Sequence, residues 1–194
     1  MDTLKIMTSN EPYIIKDSMM PKEIQEKARD LCFKYNNLAP SEKEKKQEIL
    51  KDLFGDCSDL TFIEATFRCD YGINIHTKGL TVINFNCVIL DTSPVNIGAN
   101  CFIAPNVVIA CASHPIDSSE RNEGYLVSKP ITIKDNVWIG ANATICGGVT
   151  IGSNTVIGAG SVVVKDIPDN VVAVGNPCKP IRSITEKDKI LLKI

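Results

Sequence analysis

Between Val95 and Asp166 the hydrophobic positions recur neither every second residue nor every 3.6 residues. They recur every six. Val95 to Ala112 divides into "VNIGAN", "CFIAPN" and "VVIACA". Ile131 to Asp166 divides into "ITIKDN", "VWIGAN", "ATICGG", "VTIGSN", "TVIGAG" and "SVVVKD". The third position is aliphatic each time: Ile97, Ile103, Ile109, Ile133, Ile139, Ile145, Ile151, Ile157 and Val163. Looser upstream copies put Ile83 and Ile89 in the same slot. Hairpins alternate with period two and do not produce this pattern. A unit this short specifies a solenoid, in which each hexapeptide is one short strand and one turn. Three units close a triangular coil, so residues 18 apart stack and the aliphatic side chains fill the prism. Either the glycine after the aliphatic slot (Gly98, Gly140, Gly152, Gly158) or the nearby asparagine (Asn100, Asn106, Asn136, Asn142, Asn154) is expected to let the corner take positive φ.

Upstream, "MMPKEIQEKARDLCFKYNN" places Ile24, Ala28, Leu31 and Tyr35 at helical spacing. In "PSEKEKKQEILKDLFG", Ser41 reads as an N-cap with Glu44 three residues on, and Gly55 reads as a stop. The pattern predicts two helices joined near 36–40. The chain thus divides into a helical segment over 1–60, a β-prism over 61–180 and a C-terminal tail over 181–194.

Within the prism the rhythm lapses from Ser113 to Pro130, "SHPIDSSERNEGYLVSKP", and resumes at Ile131. An excursion over 113–130 from a rigid scaffold is a natural place for binding groups and is expected to close over a ligand. His114 lies at its root, and Pro115 biases it toward extended backbone. Imidazole titrates near neutrality, so His114 is a candidate general base. A surface histidine preceding a loop is the alternative.

Composition narrows the classes. The net charge of −2 argues against nucleic acid or an anionic membrane surface as partner. No apolar run approaches the roughly 18 residues of a membrane span. The opening "MDTLKIMTSNEP" lacks the basic-then-apolar order of a signal peptide. The eight cysteines form no C-x-x-C pair, so they read as free thiols in a reducing, cytoplasmic setting, with Cys87 and Cys101 acting as small hydrophobes. No G-x-G-x-x-G or P-loop points to a nucleotide-dependent reaction. Trp138 is the only tryptophan, on a repeat position that faces outward, which suggests a covered wall.

The [LIV]-G-x-x-x-x pattern resembles the hexapeptide-repeat transferases. The segments "NFNCVILDTSPVNIG", "HPIDSSERN", "KPITIKDNVWIGANATI" and "GVTIGSNTVIGAGSVVVKDIPDNVVAVGNPCKPIR" resemble the galactoside and maltose O-acetyltransferase family over 17–182. The resemblance implies an all-β solenoid, a left-handed parallel β-helix with an N-terminal α-helical segment. That hand is opposite to the usual parallel crossover. It also implies acetyl transfer from acetyl-CoA to a sugar hydroxyl, no metal, and a homotrimer with active sites between subunits. His114 and Trp138 would then come from adjacent chains or line one shared cleft.

Carried over residue by residue, the resemblance makes His114 the catalytic base. It places Asp17, Asp70 and Asp91 at the acceptor. A second carboxylate that some members carry after the last of these is here Thr92. Asn84 would sit beside the thioester, where its amide could donate to a developing oxyanion. Trp138, Ala141, Ala159, Val164, Lys165, Lys179 and Arg182 would bind CoA. Ala141 and Ala159 would stack to leave a groove for pantetheine, and the two cations would grip phosphate. Three alternatives stay open: a non-sugar acceptor such as an antibiotic or amino acid, a non-catalytic prism, and a zinc-dependent γ-type carbonic anhydrase. The last needs about three histidines, whereas this chain has His76 and His114 alone.

Overall fold

The computed structural model describes residues 2–191. Residues 192–194 of the expected tail, and Met1, lie outside them. The prism is a parallel β-solenoid with three faces. Face I stacks Thr61–Ile63, Thr81–Ile83, Cys101–Ile103, Trp138–Ile139, Val156–Ile157 and Val171–Val174. Face II stacks Phe67–Cys69, Cys87–Leu90, Val108–Ala110, Thr144–Cys146 and Val162–Val163. Face III stacks Ile75–Thr77, Val95–Ile97, Ile131–Ile133 and Thr150–Ile151.

The nine aliphatic residues of the repeat are all buried, at 2% exposure or less. Each such side chain is worth about 1.5–3 kcal/mol of transfer free energy, so this column dominates the stability of the prism. The asparagine corners behave as expected: Asn100, Asn106, Asn136, Asn142 and Asn154 have φ of 55 to 60°. At the corner between faces III and I their amides also join coil to coil. Asn100 Nδ2 donates to Asn136 Oδ1 (3.1 Å), Asn136 to Asn154 (3.0 Å) and Asn154 to Asn170 (3.1 Å).

Of the two alternatives the asparagine takes the left-handed corner, and the glycine has another role. Gly98, Gly140, Gly152 and Gly158 are not at positive φ. They make room for the next coil instead. A Cβ on Gly140 would lie 2.5 Å from Ala159 N and 2.9 Å from Ala159 Cα.

The spacing of 18 holds only in the later coils, where Thr132 pairs Thr150, Trp138 pairs Val156 and Thr144 pairs Val162. In the first coils Thr61 pairs Thr81, Phe67 pairs Cys87 and Ile75 pairs Val95, a spacing of 20. The two additional residues per coil fall at one corner, between faces II and III, in the turns 70–74 and 91–94. The excursion leaves from the same corner one coil later.

The N-terminal segment contains α1 (Thr3–Met7), a strand (Tyr13–Lys16), α2 (Lys22–Asn37) and α3 (Lys43–Leu53). Helices α2 and α3 plug the first coil. Ala28, Leu31, Tyr35, Leu50, Leu53 and Phe54 join Ile63 and Phe67 in one core. Ser41 does not cap α3. The cap is Glu42, whose carboxylate turns back to the Ala39 N–H (3.0 Å) and to Lys45 (2.7 Å). Gly55 lies beyond the C-cap Phe54, and its missing Cβ makes room for the Ile73 carbonyl and the His76 ring. The sequence pattern missed the strand Tyr13–Lys16, because it pairs with the excursion rather than with the prism. The expected tail begins as structure: Lys179–Ser183 runs antiparallel beside Val171–Val174 and extends face I.

Candidate active site

The enlarged corner between faces II and III carries three of the expected groups. In the first coil it holds Asp70, and in the second Asp91. Asp91 is fully buried. Its Oδ1 accepts the Asp70 N–H (3.0 Å) and the Tyr71 N–H (2.9 Å), and Oδ2 accepts the Asn74 N–H (3.3 Å). Burial pushes this carboxyl up to about 7, against the pull of those backbone donors. Asp91 is thus enclosed by backbone donors. It holds the turn that presents Asp70. Asp70 is half-buried, and burial raises its pKa while the Arg29 charge opposes that rise. Asp17 is exposed, and its N–H donates to the Gly124 carbonyl of the excursion (2.8 Å). Burial raises the Tyr71 phenol, and the charges of Asp70, Tyr13, Asp17 and Asp91 add to that rise.

The excursion is a docked hairpin with a helical tip, α4 (Ser118–Asn122). Its strand Tyr125–Ser128 lies between Ala112–Ser113 and the N-terminal Tyr13–Lys16, antiparallel to both. The Tyr13 hydroxyl donates to the Thr92 carbonyl (2.5 Å). The Ser128 hydroxyl lies 2.6 Å from those of both Thr92 and Ser93. Thr92 is thus a buried fastener of the excursion. A second small core of Met7, Tyr13, Ile15, Met20, Tyr71 and Leu126 seals the joint. The excursion is held from both sides rather than hanging as a loose flap.

His114 projects from this joint and is exposed. Its Nδ1 lies 3.3 Å from the Tyr125 carbonyl. A carbonyl can only accept, so this contact selects the tautomer with the proton on Nδ1. Nε2 is left with its lone pair directed away, the form a general base needs.

The expected CoA residues lie elsewhere. Trp138 is on face I, 54% exposed, in a column with exposed Phe102 and with Val156. Asn84, Ala141 and Ala159 follow at the corner between faces I and II. Asn84 Oδ1 accepts the Phe85 N–H (2.8 Å). Ala141 and Ala159 stack, with the Gly160 N–H donating to the Ala141 carbonyl (2.8 Å). Val164 and Lys165 instead follow face II in the last coil, on the His114 corner. Lys179 and Arg182 sit on the final strand of face I. Arg182 is engaged in a two-point pair with Asp188 (2.8 and 2.9 Å). Within one chain, His114 and Asn84 therefore flank opposite edges of face II.

His76 lies on face III, packed under Gly55, and burial lowers its pKa. Among the described residues no three His, Cys, Asp or Glu side chains converge as metal ligands. No described helix is long and apolar enough to cross a membrane. Sequence reasoning missed Tyr13, Tyr71, Asn74, Tyr125 and Ser128. Only "YLVS", a β-prone run inside the excursion, signalled any of them.

Residues 6–58 match the maltose acetyltransferase hexapeptide capping motif, and residues 130–165 match the bacterial transferase hexapeptide family (six repeats). The galactoside O-acetyltransferase of Escherichia coli (strain K12) is 45% identical over 163 residues, covering 84% of this chain and 80% of that protein. The crystal structure of a maltose O-acetyltransferase from Clostridium difficile 630 superposes with a TM-score of 0.89 at 45% identity, covering 96% of this chain and 99% of the other. A galactoside acetyltransferase in complex with coenzyme A superposes equally well, at 0.89 and 39% identity, covering 97% and 94%.

Proposed function

The chain belongs to the galactoside and maltose O-acetyltransferase family of hexapeptide-repeat proteins, and from that membership we propose how its residues carry out acetyl transfer to a sugar hydroxyl. Acetyl-CoA supplies the acetyl group as a thioester. His114 Nε2 takes the proton of the acceptor hydroxyl as its oxygen attacks the thioester carbonyl, and returns it to the departing thiolate. Asn84 Nδ2 donates to the oxyanion that develops. Asp70 and Asp17 accept hydrogen bonds from the other acceptor hydroxyls. Trp138, Ala141 and Ala159 line the thin arm of CoA, and Lys179, which makes no ion pair among the described residues, meets its phosphates. Val164 and Lys165 belong to the same donor path.

The observation that carries this reading is the Nδ1 contact to the Tyr125 carbonyl, which leaves the Nε2 lone pair free at the corner whose turns hold Asp70 and Asp91. The separation of His114 and Asn84 across face II supports a homotrimer in which a neighbouring copy completes each site. Eight unpaired cysteines support a reducing cytoplasmic setting.

Thiol release from acetyl-CoA, measured against galactosides, glucosides, maltose and non-sugar alcohols, tests the reading. His114→Ala should lower the rate by about 10²- to 10⁴-fold while CoA binding persists. Full activity in that variant would refute His114 as the base.

A further inference from the structure

Among the described residues one pair of thiols touches: Cys32 Sγ lies 3.7 Å from Cys69 Sγ. Cys32 is on α2, and Cys69 ends the first strand of face II. Both line a cavity of about 690 Å³ together with Arg29, Arg68 and Asp70, beside the exposed Phe33 ring. The next residue after Cys69 is Asp70, assigned above to the acceptor. Nothing in acetyl transfer uses these sulfurs.

We propose that Cys32 and Cys69 are an oxidation site, at which a small hydroperoxide forms a disulfide that displaces Asp70 and weakens acceptor binding. The effect on acceptor binding rests on the role given to Asp70 above. The steps balance with hydrogen peroxide as oxidant. The Cys32 thiolate attacks one peroxide oxygen, the O–O bond breaks, and hydroxide leaves to take a proton as water. The sulfur, now a sulfenic acid, is attacked by the Cys69 sulfur. An S–S bond forms, and hydroxide departs with the Cys69 proton as a second water. Two thiols and one peroxide give one disulfide and two waters.

The setting suits each partner. The contact between the two thiols, with Arg68 nearby, holds Cys32 below its ordinary pKa, whereas the same contact and burial hold Cys69 well above. By contrast, burial raises Cys87 and Cys101 and pushes Cys111 up to about 12. Disulfide formation must close 3.7 Å to about 2.05 Å. Asn36 on α2 clamps Phe67 by two 2.9 Å bonds, one in each direction. In the proposal this clamp fixes α2 against the start of the strand, and the movement is taken up by Cys69 and its neighbour Asp70.

The test treats the full chain with hydrogen peroxide, alkylates the remaining thiols and maps the peptides by mass. The expected result is a linked Cys32–Cys69 peptide lacking two hydrogens. The acceptor KM rises about threefold or more, an effect of weakened binding, while the acetyl-CoA KM holds, and dithiothreitol reverses the change. Cys32→Ser and Cys32→Ala should keep the reduced kinetics and be insensitive to peroxide. No linked peptide, prior oxidation of another cysteine, or a linked peptide with unchanged acceptor KM would overturn the proposal. Asp70→Asn in the reduced protein separates the two readings: a normal acceptor KM there removes the acceptor role of Asp70, while the linked peptide still reports the oxidation site.

Discussion

Asp91 organises the corner proposed above to bind the acceptor. Its carboxylate holds three backbone N–H groups of the 70–74 turn, at 2.9 to 3.3 Å, in a fully buried position. Asp91→Ala orphans all three. An unsatisfied buried donor costs about 1–3 kcal/mol, so the loss should reach about 4 kcal/mol even with relaxation. Asp91→Asn retains Oδ1 for Asp70 and Tyr71 but turns an NH₂ toward the Asn74 N–H, and should cost about 1–2 kcal/mol.

The pH dependence separates the charge from the shape. In the folded chain the carboxyl titrates near 7, and in the unfolded chain near 3.8. Between these values the folded state holds the additional proton, so stability falls as pH rises through that window and levels off above it. At 1.36 kcal/mol per pH unit the fall amounts to about 4 kcal/mol. Urea unfolding at fixed protein concentration, at pH 5 and pH 7.5, reads about 2.5 kcal/mol of it, the part that falls above pH 5. The wild-type protein should lose stability over that interval relative to Asp91→Asn, which lacks the group. Kinetics supply the second readout: both variants should raise the acceptor KM and leave the acetyl-CoA KM near its wild-type value. Parallel pH profiles, or a larger change in the acetyl-CoA KM, would refute the argument.

Gly140→Val drives a side chain into the Ala159 backbone of the next coil, 2.5 Å from a Cβ at that position. It should lower stability by about 3 kcal/mol in denaturant titration. Asn136→Ala keeps φ at 59° without the side chain that tolerates it and breaks two amide rungs. A loss of about 2 kcal/mol is expected, with Asn136→Gly recovering part of it. Tyr13→Phe removes the hydroxyl that ties the N-terminal strand to Thr92. It should cost about 1 kcal/mol and loosen the excursion, visible as faster amide exchange at residues 125–128 with the prism strands unchanged.

The hexapeptide register was legible because its physics is local. One inward aliphatic per strand and one tight corner per turn repeat in the chain itself, and Ile139 or Asn142 can be placed without knowing any distant residue. The excursion was legible for the converse reason, since it interrupts that repeat. Which of glycine and asparagine takes the corner was left open, because the constraint on the glycines is not local. Gly140 is small on account of Ala159, which stacks against it only once the coil has closed. The burial of Asp91 was hidden in the same way: a carboxylate in a turn looks like a surface contact until three backbone donors close over it.

Sequence alone thus determined the period, the inward column and the identity of His114 as the one histidine at a break in the repeat. It also held, unseen, the reason the site is where it is. The turns 70–74 and 91–94 and the excursion interrupt the same corner in three successive coils. Only the tertiary structure stacks them, because parallel strands join residues 20 or 36 apart across the sheet. The same closure brings the Tyr125 carbonyl to His114 Nδ1 and lays the N-terminal strand against the excursion. A repeat can encode a wall through neighbouring residues, but the direction of an imidazole and the burial of a carboxylate depend on groups that meet only when the chain has folded.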